Sequence, residues 1–143
     1  MKPKFRAWLK NDKEMIDADE IHWDRDRLDF IGDGITFMRK ADEIELMQLT
    51  GLFDKNGKEI FEGDILEIQG IRMVVKFGNY EYIESSKSNE HTIGVVYDGL
   101  GFYVECINAT DPDRISPFEP ETLKESVVIG NIYESQELLE EEK

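Results

Sequence analysis

Apolar and polar residues alternate along most of this chain, which is the pattern of half-buried β-strands. The first run covers residues 4–9, where Phe5, Ala7 and Leu9 are the apolar positions. Residues 11–13 read Asn-Asp-Lys, a composition typical of turns. Because strand side chains point to alternate faces, this run predicts an opening strand with one apolar face.

The sharpest local signals lie in residues 46–77. Asn56 and Gly57 are the strongest short hairpin signal, since a type I′ turn needs positive φ at both central positions. Strands are predicted at 58–61, 65–68 and 71–77, with a break at 62–64, where the carboxylate of Asp64 can cap a turn. A second turn is predicted at Gln69 and Gly70, so the segment reads as a meander of short strands.

The remaining pattern predicts further short strands. A turn at Gly78 and Asn79 leads into a strand at 80–84, and residues 85–90 form a polar loop. Strands follow at 92–97, 102–107 and 127–133, with a turn at 98–101 and a Pro- and Asp-rich connection over 108–120. Residues 134–142 predict a short acidic helix docked by Leu138 and Leu139.

Residues 11–45 are acidic and only weakly periodic. They predict short strands joined by turns, with buried side chains at Ile21, Trp23, Leu28 and Phe30. The whole pattern is mainly β, and short strands at such close spacing predict a small open or closed barrel of antiparallel strands. No repeat or low-complexity linker interrupts it, so a single domain over residues 1–143 is expected.

Charge and composition narrow the range of functions that the chain could have. The chain has 32 acidic and 17 basic residues, a net charge of −15, which argues against binding to nucleic acid or to an anionic membrane. The preferred interpretation of this charge is that it keeps the protein soluble. The alternative is that it serves to bind a basic partner or imitates the surface of nucleic acid. Cys106 is the only cysteine, so no intramolecular disulfide is expected. No apolar run approaches the ~20 residues of a membrane span, and a cytoplasmic location is expected.

Three segments carry a family resemblance. They are residues 4–8 followed by Met15, residues 46–65, and residues 128–134 followed by Leu138 and Leu139. In order and spacing they are similar to the YopX family of phage and prophage proteins from Gram-positive bacteria, over nearly the whole chain. The resemblance implies a mostly β fold of SH3-like barrel character, in proteins thought to self-associate. It implies no enzymatic activity and supplies no catalytic residues.

Two features could carry recognition or metal binding. The loop at 53–58 is strongly patterned, but a structural role in the hairpin explains it better than recognition does. His22 has carboxylates nearby at Asp19, Glu20, Asp24 and Asp26. Imidazole and carboxylates can hold a divalent ion, yet the run lacks a second histidine and the EF-hand pattern, so a solvated acidic face is the better interpretation.

Two further features could carry catalysis or stacking. Cys106 lies on the same face of its predicted strand as Phe102 and Val104 and is expected to be buried. A nucleophilic role would need His22 or His91 as its base, and no local signal indicates one. Aromatic residues are numerous and favour a core or an oligomer interface over base stacking; they are Trp8, Trp23, Tyr80, Tyr82, Tyr97, Phe102 and Tyr103.

The sequence therefore predicts no catalytic, cofactor-binding or metal-binding residue and no cofactor. The first hypothesis is a prophage-encoded, non-enzymatic interaction module that forms a homo-oligomer and binds a host or phage protein. The second is an acidic nucleic-acid mimic that binds a basic host protein. The third, the weakest, is a small metal-dependent hydrolase or nuclease with its metal at His22 and the nearby carboxylates.

Overall fold

The chain forms two compact units, Met1–Gly51 and Leu52–Lys143. The computed structural model describes residues 4–88, 91–108, 115–117 and 120–139, with backbone alone for 82–88, 91–97 and 115–117. Strands make up most of the described residues, which confirms the mainly β class that the alternating pattern predicts. The single domain expected from the sequence stays a prediction.

The first unit contains six strands and one 3-10 turn, Ala41–Glu43. The strands are β1 Phe5–Leu9, β2 Glu14–Asp17, β3 Ile21–Asp24, β4 Arg27–Ile31, β5 Arg39–Lys40 and β6 Ile44–Phe53, which ends in the second unit. β1 pairs antiparallel with β2 and β6, and β4 pairs antiparallel with β3 and β5. The predicted opening strand and its turn at 11–13 are therefore confirmed.

A hydrophobic cluster fills the first unit. Its buried members are Ala7, Leu9, Ala18, Ile31 and Ile44. Of the side chains predicted to be buried in 11–45, Ile21 and Leu28 pack against this cluster. The prediction for Trp23 is wrong: it lies at the turn end of the β3–β4 hairpin and is 54% exposed. Phe30 is half-buried and stacks on His22, its cross-strand partner.

The second unit holds the two longest described strands, β9 and β10. Its strands are β7 Glu59–Phe61, β8 Asp64–Ile68, β9 Ile71–Ser88, β10 His91–Cys106, β11 Ile115–Pro117 and β12 Val127–Asn131, with a helix α1 at Pro120–Leu123. A five-stranded sheet has the order β11-β10-β9-β8-β12, and all its recorded pairings are antiparallel. Among the described residues this order does not close on itself, as expected for an open barrel.

The core of the second unit lies where β8, β9 and β10 meet. Its buried side chains are Ile60, Leu66, Met73, Val75, Val104 and Leu123. Met73 and Val75 have Cys106 and Val104 as cross-strand partners, so the predicted apolar face of residues 71–77 is confirmed for this part of β9. Burial stabilises the unit by about 1.5–3 kcal/mol for each large aliphatic residue.

The helix predicted over 134–142 does not form in the described part of that range. A 3-10 turn covers Gln136–Leu139 instead. The carboxamide oxygen of Asn131 accepts the backbone N–H groups of Tyr133 and Glu134, at 3.0 and 2.9 Å, and so forms a turn where a helix would begin. Residues 140–143 lie outside the described part of the chain.

Candidate functional site

The β9–β10 hairpin is the most unusual feature of the second unit. The recorded pairing of β9 with β8 ends at Val74, and that of β10 with β11 ends at Tyr103. Beyond these points residues 77–88 and 91–102, here called the ribbon, pair with each other through twelve cross-strand pairs, about 40 Å of strand. Within the described residues no further strand pairs with the ribbon. Its outer edges therefore carry backbone groups of the kind that recruit another strand.

Exposed apolar side chains lie at the base of the ribbon. Phe77 is 49% exposed and Leu100 is 75% exposed. Phe77 is the cross-strand partner of Phe102, and their rings meet edge to face with centroids 4.9 Å apart. Phe77, Leu100 and Phe102 lie on one face, because 77 and 79 alternate in phase with their partners 102 and 100. We call these three residues the ribbon patch.

Two glycines form the rung next to the ribbon patch. Gly78 pairs with Gly101, and their φ angles are +149° and +144°. L-residues rarely adopt this backbone conformation, so glycine is required for the strands to continue through this point. The predicted turns at 78–79 and 98–101 are wrong, because these glycines lie inside continuous strands and not at their ends.

The predicted polar loop is also absent from most of its range. Residues 85–88 belong to β9, where they pair with 91–94 of β10, so that part of the prediction is wrong. Serine and lysine side chains do not prevent strand formation when a partner strand satisfies their backbone groups. Residues 89 and 90 lie outside the described part of the chain.

The loop at 53–58 has a firm structural role. The carboxylate of Asp54, 6% exposed, accepts the N–H groups of Asn56 and Lys58 at 2.9 and 2.8 Å. Its second oxygen accepts the N–H of Val128 at 2.9 Å, and the N–H of Lys55 donates to the carbonyl of Ser126 at 2.8 Å. The loop is thereby fixed to the start of β12; the sequence predicts a structural role in the hairpin but not this attachment.

The electrostatics of Asp54 follow from these contacts. Burial by itself would raise its pKa, but the N–H donors of Val128, Lys58 and Asn56 and the charge of Lys58 outweigh it. The net result holds the pKa of Asp54 below the ordinary value of 3.8. A carboxylate kept ionised in this way serves the loop as a fixed hydrogen-bond acceptor.

The turn type predicted at Asn56 and Gly57 is wrong, although the hairpin itself forms. Among the described residues other than glycine, positive φ occurs at Lys13, Arg25 and Gln69, so Asn56 does not have it. In this turn only Gly57 has a positive φ, +81°, and its N–H donates to the carbonyl of Asp54 at 3.0 Å. The turn with two positive φ angles is at Gln69 and Gly70, between β8 and β9.

The buried acid predicted to cap a turn, Asp64, does so. Its carboxylate accepts the N–H of Phe61 at 2.8 Å, across the turn at Gly63. Ile60 and Ile65 beside it are fully buried. The strongly patterned segment 46–65 is thus explained by turn and core chemistry.

His22 is occupied by contacts within the first unit. Its Nε2 lies 3.1 Å from the carbonyl oxygen of Gly32, and its ring stacks on Phe30 with centroids 4.2 Å apart. In the part of the chain that the structure describes, no three His, Cys, Asp or Glu side chains come close enough to hold a metal ion. The structure therefore does not bring the carboxylates at 19, 20, 24 and 26 together with His22 as a metal centre.

A small acidic cavity lies elsewhere in the first unit. It has a volume of about 230 Å³, and its lining includes Asp17, Asp19, Glu20 and Asp33. The pKa of Asp33 is held well below its usual range, first by the Thr36 hydroxyl and then by the N–H groups of Phe37, Ile35 and Thr36. Its carboxylate is thus committed to its own loop.

Cys106 is buried, as its phase with Phe102 and Val104 predicts. Its Sγ lies 3.8 Å from the carboxamide oxygen of Asn108. That amide also accepts the N–H of Arg72 and donates to the carbonyl of Gly70, so it supports the turn between β8 and β9. The side chain of His91 lies outside the described ones.

Comparison with known proteins gives the family. A family model described as YopX protein matches residues 4–140. The chain belongs to the YopX family. The match includes all three segments that carry the resemblance, which is thereby confirmed. No curated relative matches this YopX family member.

A solved structure shares the fold of this YopX family member. It is the crystal structure of protein EF1440 from Enterococcus faecalis, with a TM-score of 0.56 and 27% sequence identity. The similarity covers 98% of this chain and 99% of that chain. In the described part of this YopX family member, no helix has the length and apolar character needed to cross a bilayer.

Sequence reasoning missed the ribbon, although one signal was present. Gly78 lies ten residues before the end of β9, and Gly101 lies ten residues after the start of β10. Two glycines at equal distances from a polar segment are compatible with one cross-strand pair inside a hairpin as well as with two separate turns. Local composition cannot separate these cases, because the register of the partner strand decides between them.

Proposed function

We propose that this YopX family member is a non-enzymatic protein-interaction module of prophage origin that self-associates through the ribbon in the bacterial cytoplasm. The observation that carries the proposal is the ribbon itself, two long strands with which no further strand of the described residues pairs. An isolated two-stranded ribbon is only marginally stable in water. Pairing with another strand would satisfy its edge groups and add hydrogen bonds.

The ribbon patch supports the same proposal from its side chains. Leu100 and Phe77 are large apolar residues exposed on the same face of the ribbon, two rungs apart, and Phe77 lies beside the ring of Phe102. Exposed apolar and aromatic residues grouped in this way are typical of interface centres. A second copy would present the same patch, as a two-fold symmetric interface requires.

The test is sedimentation equilibrium of the full chain from low micromolar to near-millimolar concentration. We expect a concentration-dependent oligomer, which Leu100→Asp weakens about tenfold or more because a charge replaces an apolar side chain worth about 1.5–3 kcal/mol on burial. Ile35→Asp is the matched control, since Ile35 is an aliphatic residue that is 92% exposed in the first unit. A strictly monomeric wild-type protein, or equal weakening by both variants, would contradict the proposal.

A second candidate, the acidic nucleic-acid mimic, is favoured by where the charge lies. Residues 52–143 have 20 acidic and 8 basic side chains, a net −12, whereas residues 1–51 have 12 and 9, a net −3. The test is affinity capture from nuclease-treated host lysate, followed by competition of duplex DNA for the captured protein. A mimic requires a basic protein that is released by salt and displaced by DNA. A partner indifferent to both would exclude it.

A further inference from the structure

The face of β9 and β10 that carries the ribbon patch begins in the core of the second unit. The pair that precedes the patch on this face is Val75 and Val104, and both are buried. Within the patch Phe77 is half exposed, and Leu100 is exposed over three quarters of its surface. Asn79, the cross-strand partner of Leu100, is exposed as well. An apolar face that starts in the core thus continues as an exposed surface.

Two acids follow the ribbon patch on the same face. Glu81 and Asp98 are cross-strand partners, the next pair on this face after that of Leu100, and both are exposed. Cβ atoms of directly opposed residues lie about 4.5–5.5 Å apart, a distance at which like charges repel. Among the described side chains of β9 and β10, no lysine or arginine lies on this face, and Lys76 pairs with Glu105 on the opposite face. An occupant of this face therefore gains most by bringing a positive charge to the two acids.

The exposed pairs on this face are spaced in a way that the side chains of an α-helix can match. Successive pairs on one face of antiparallel strands are about 6.8 Å apart, since each residue rises about 3.4 Å. Helix positions i, i+4 and i+8 rise by about 6 Å per step and stay on one side of the helix, within an arc of about 80°. A two-stranded ribbon is only marginally stable by itself, and a helix packed on its apolar face stabilises it.

We propose that this face binds an amphipathic α-helix of a partner protein, with apolar side chains on the ribbon patch and a lysine or arginine at the two acids. Apolar residues at i and i+4 contact Phe77 and Leu100, and the cation at i+8 lies at Glu81 and Asp98. The apolar contacts supply most of the affinity, whereas the cation fixes the direction of the helix along the ribbon. This inference names a partner other than a second copy and does not rest on self-association. Since both occupants cover the ribbon patch, they exclude each other.

The probe is a blocked peptide of about 18 residues, alanine and glutamine with leucine at i and i+4 and arginine at i+8, titrated into the full-length protein. Its isomer carries the arginine at i+6, on the opposite side of the helix, and has the same composition and net charge. Backbone amide NMR shifts at Leu100 and Asp98 report where the peptide binds. We expect a dissociation constant of about 1 mM or lower for the i+8 peptide and about fivefold weaker binding for the i+6 peptide.

The decisive variant is Glu81→Gln combined with Asp98→Asn. We expect it to weaken binding of the i+8 peptide about fivefold and to abolish the difference between the two peptides, because the charges that distinguish them are removed. The control is Glu14→Gln with Asp29→Asn, two exposed acids of the first unit whose removal changes the net charge equally. The control protein should still bind the i+8 peptide more tightly than the i+6 peptide.

The apolar contact is tested separately by Leu100→Asn. We expect this variant to weaken both peptides about tenfold, since a leucine side chain is lost from the interface. Ile35→Asn replaces an aliphatic residue that is 92% exposed in the first unit and should weaken neither peptide. Both substitutions are at exposed positions, so both proteins are expected to keep the wild-type melting temperature.

The outcomes separate this inference from self-association. A monomeric wild-type protein that prefers the i+8 peptide would contradict self-association and support the helix. Equal binding of the two peptides would overturn the inference, because the position of the charge would not be recognised. Equal weakening by the control acids would overturn it as well, because net charge alone would attract the peptide. If neither peptide shifts a ribbon amide at millimolar concentration, this face does not bind a helix; stronger self-association of the variant without both acids would then assign it to a second copy.

Discussion

Two hairpins of the chain differ in how their strands are held. The hairpin between β6 and β7 is anchored, because Asp54 and Lys55 bind the backbone of Val128 and Ser126. The β9–β10 hairpin leaves its parent sheet at Val74 and Tyr103 and continues as a ribbon. The polar groups of the first hairpin bind its own fold, whereas the second hairpin leaves strand edges and apolar side chains for contacts outside it. The contrast separates the part of the chain that provides stability from the part available for recognition.

The largest expected effect is the loss of the anchor. Asp54→Ala removes the acceptor of three N–H groups and should lower the free energy of unfolding by about 2–4 kcal/mol. Urea denaturation measures this. Asp29→Ala, at an exposed position of the first unit, is the control and should stay within about 0.5 kcal/mol. If Asp54→Ala cost no more than this control, the loop would not be the anchored region described here.

Protonation of Asp54 should lower the free energy of unfolding less than its replacement by alanine does, because the protonated side chain stays in place. The folded pKa of Asp54 is below its ordinary 3.8, so the folded state binds fewer protons than the unfolded state near that pH. Its stabilising contribution is complete above 3.8 and is lost as the pH falls through the lower folded pKa. Urea denaturation of wild type and Asp54→Asn should therefore converge in acid, and a constant difference at all pH values would refute this.

The smallest effect is expected when one glycine of each hairpin is replaced by alanine. Gly57 and Gly78 have φ of +81° and +149°, and an added Cβ would meet nothing within 4 Å at either site. Gly57→Ala should cost about 1 kcal/mol of global stability through backbone strain. Gly78→Ala should cost about 0.5 kcal/mol or less, because the ribbon can open locally without unfolding the core. Equal losses in urea denaturation would place the ribbon in the same cooperative unit as the core.

The same contrast explains what could be predicted from sequence. The β6–β7 turn was visible because Asn56 and Gly57 act on their immediate neighbours, and Asp64 caps its turn from three residues away. The bond from Asp54 to Val128 was not visible, since its donor is 74 residues further along the chain. Even the turn type was misassigned, because the carboxylate of Asp54 supports a turn in which Gly57 alone needs positive φ.

The candidate site was harder to predict than the fold. Gly78 and Gly101 mark turns by composition, yet their pairing makes them one rung of a long hairpin. Tyr80 and Tyr103 were each visible, but only the register brings their rings together on one face of the ribbon. Trp23, expected in the core, is exposed since the end of a short hairpin offers it too few neighbours.

The long reach of Asp54 also has a consequence for synthesis of the chain. Its two local donors, Asn56 and Lys58, leave the ribosome almost together with it, whereas Val128 follows 74 residues later. At about 5–20 residues per second, this interval is about 4–15 s. During that time the carboxylate must remain hydrated, so the nascent hairpin can form its turn long before it can be buried. Completion of the second unit therefore waits for the synthesis of β12.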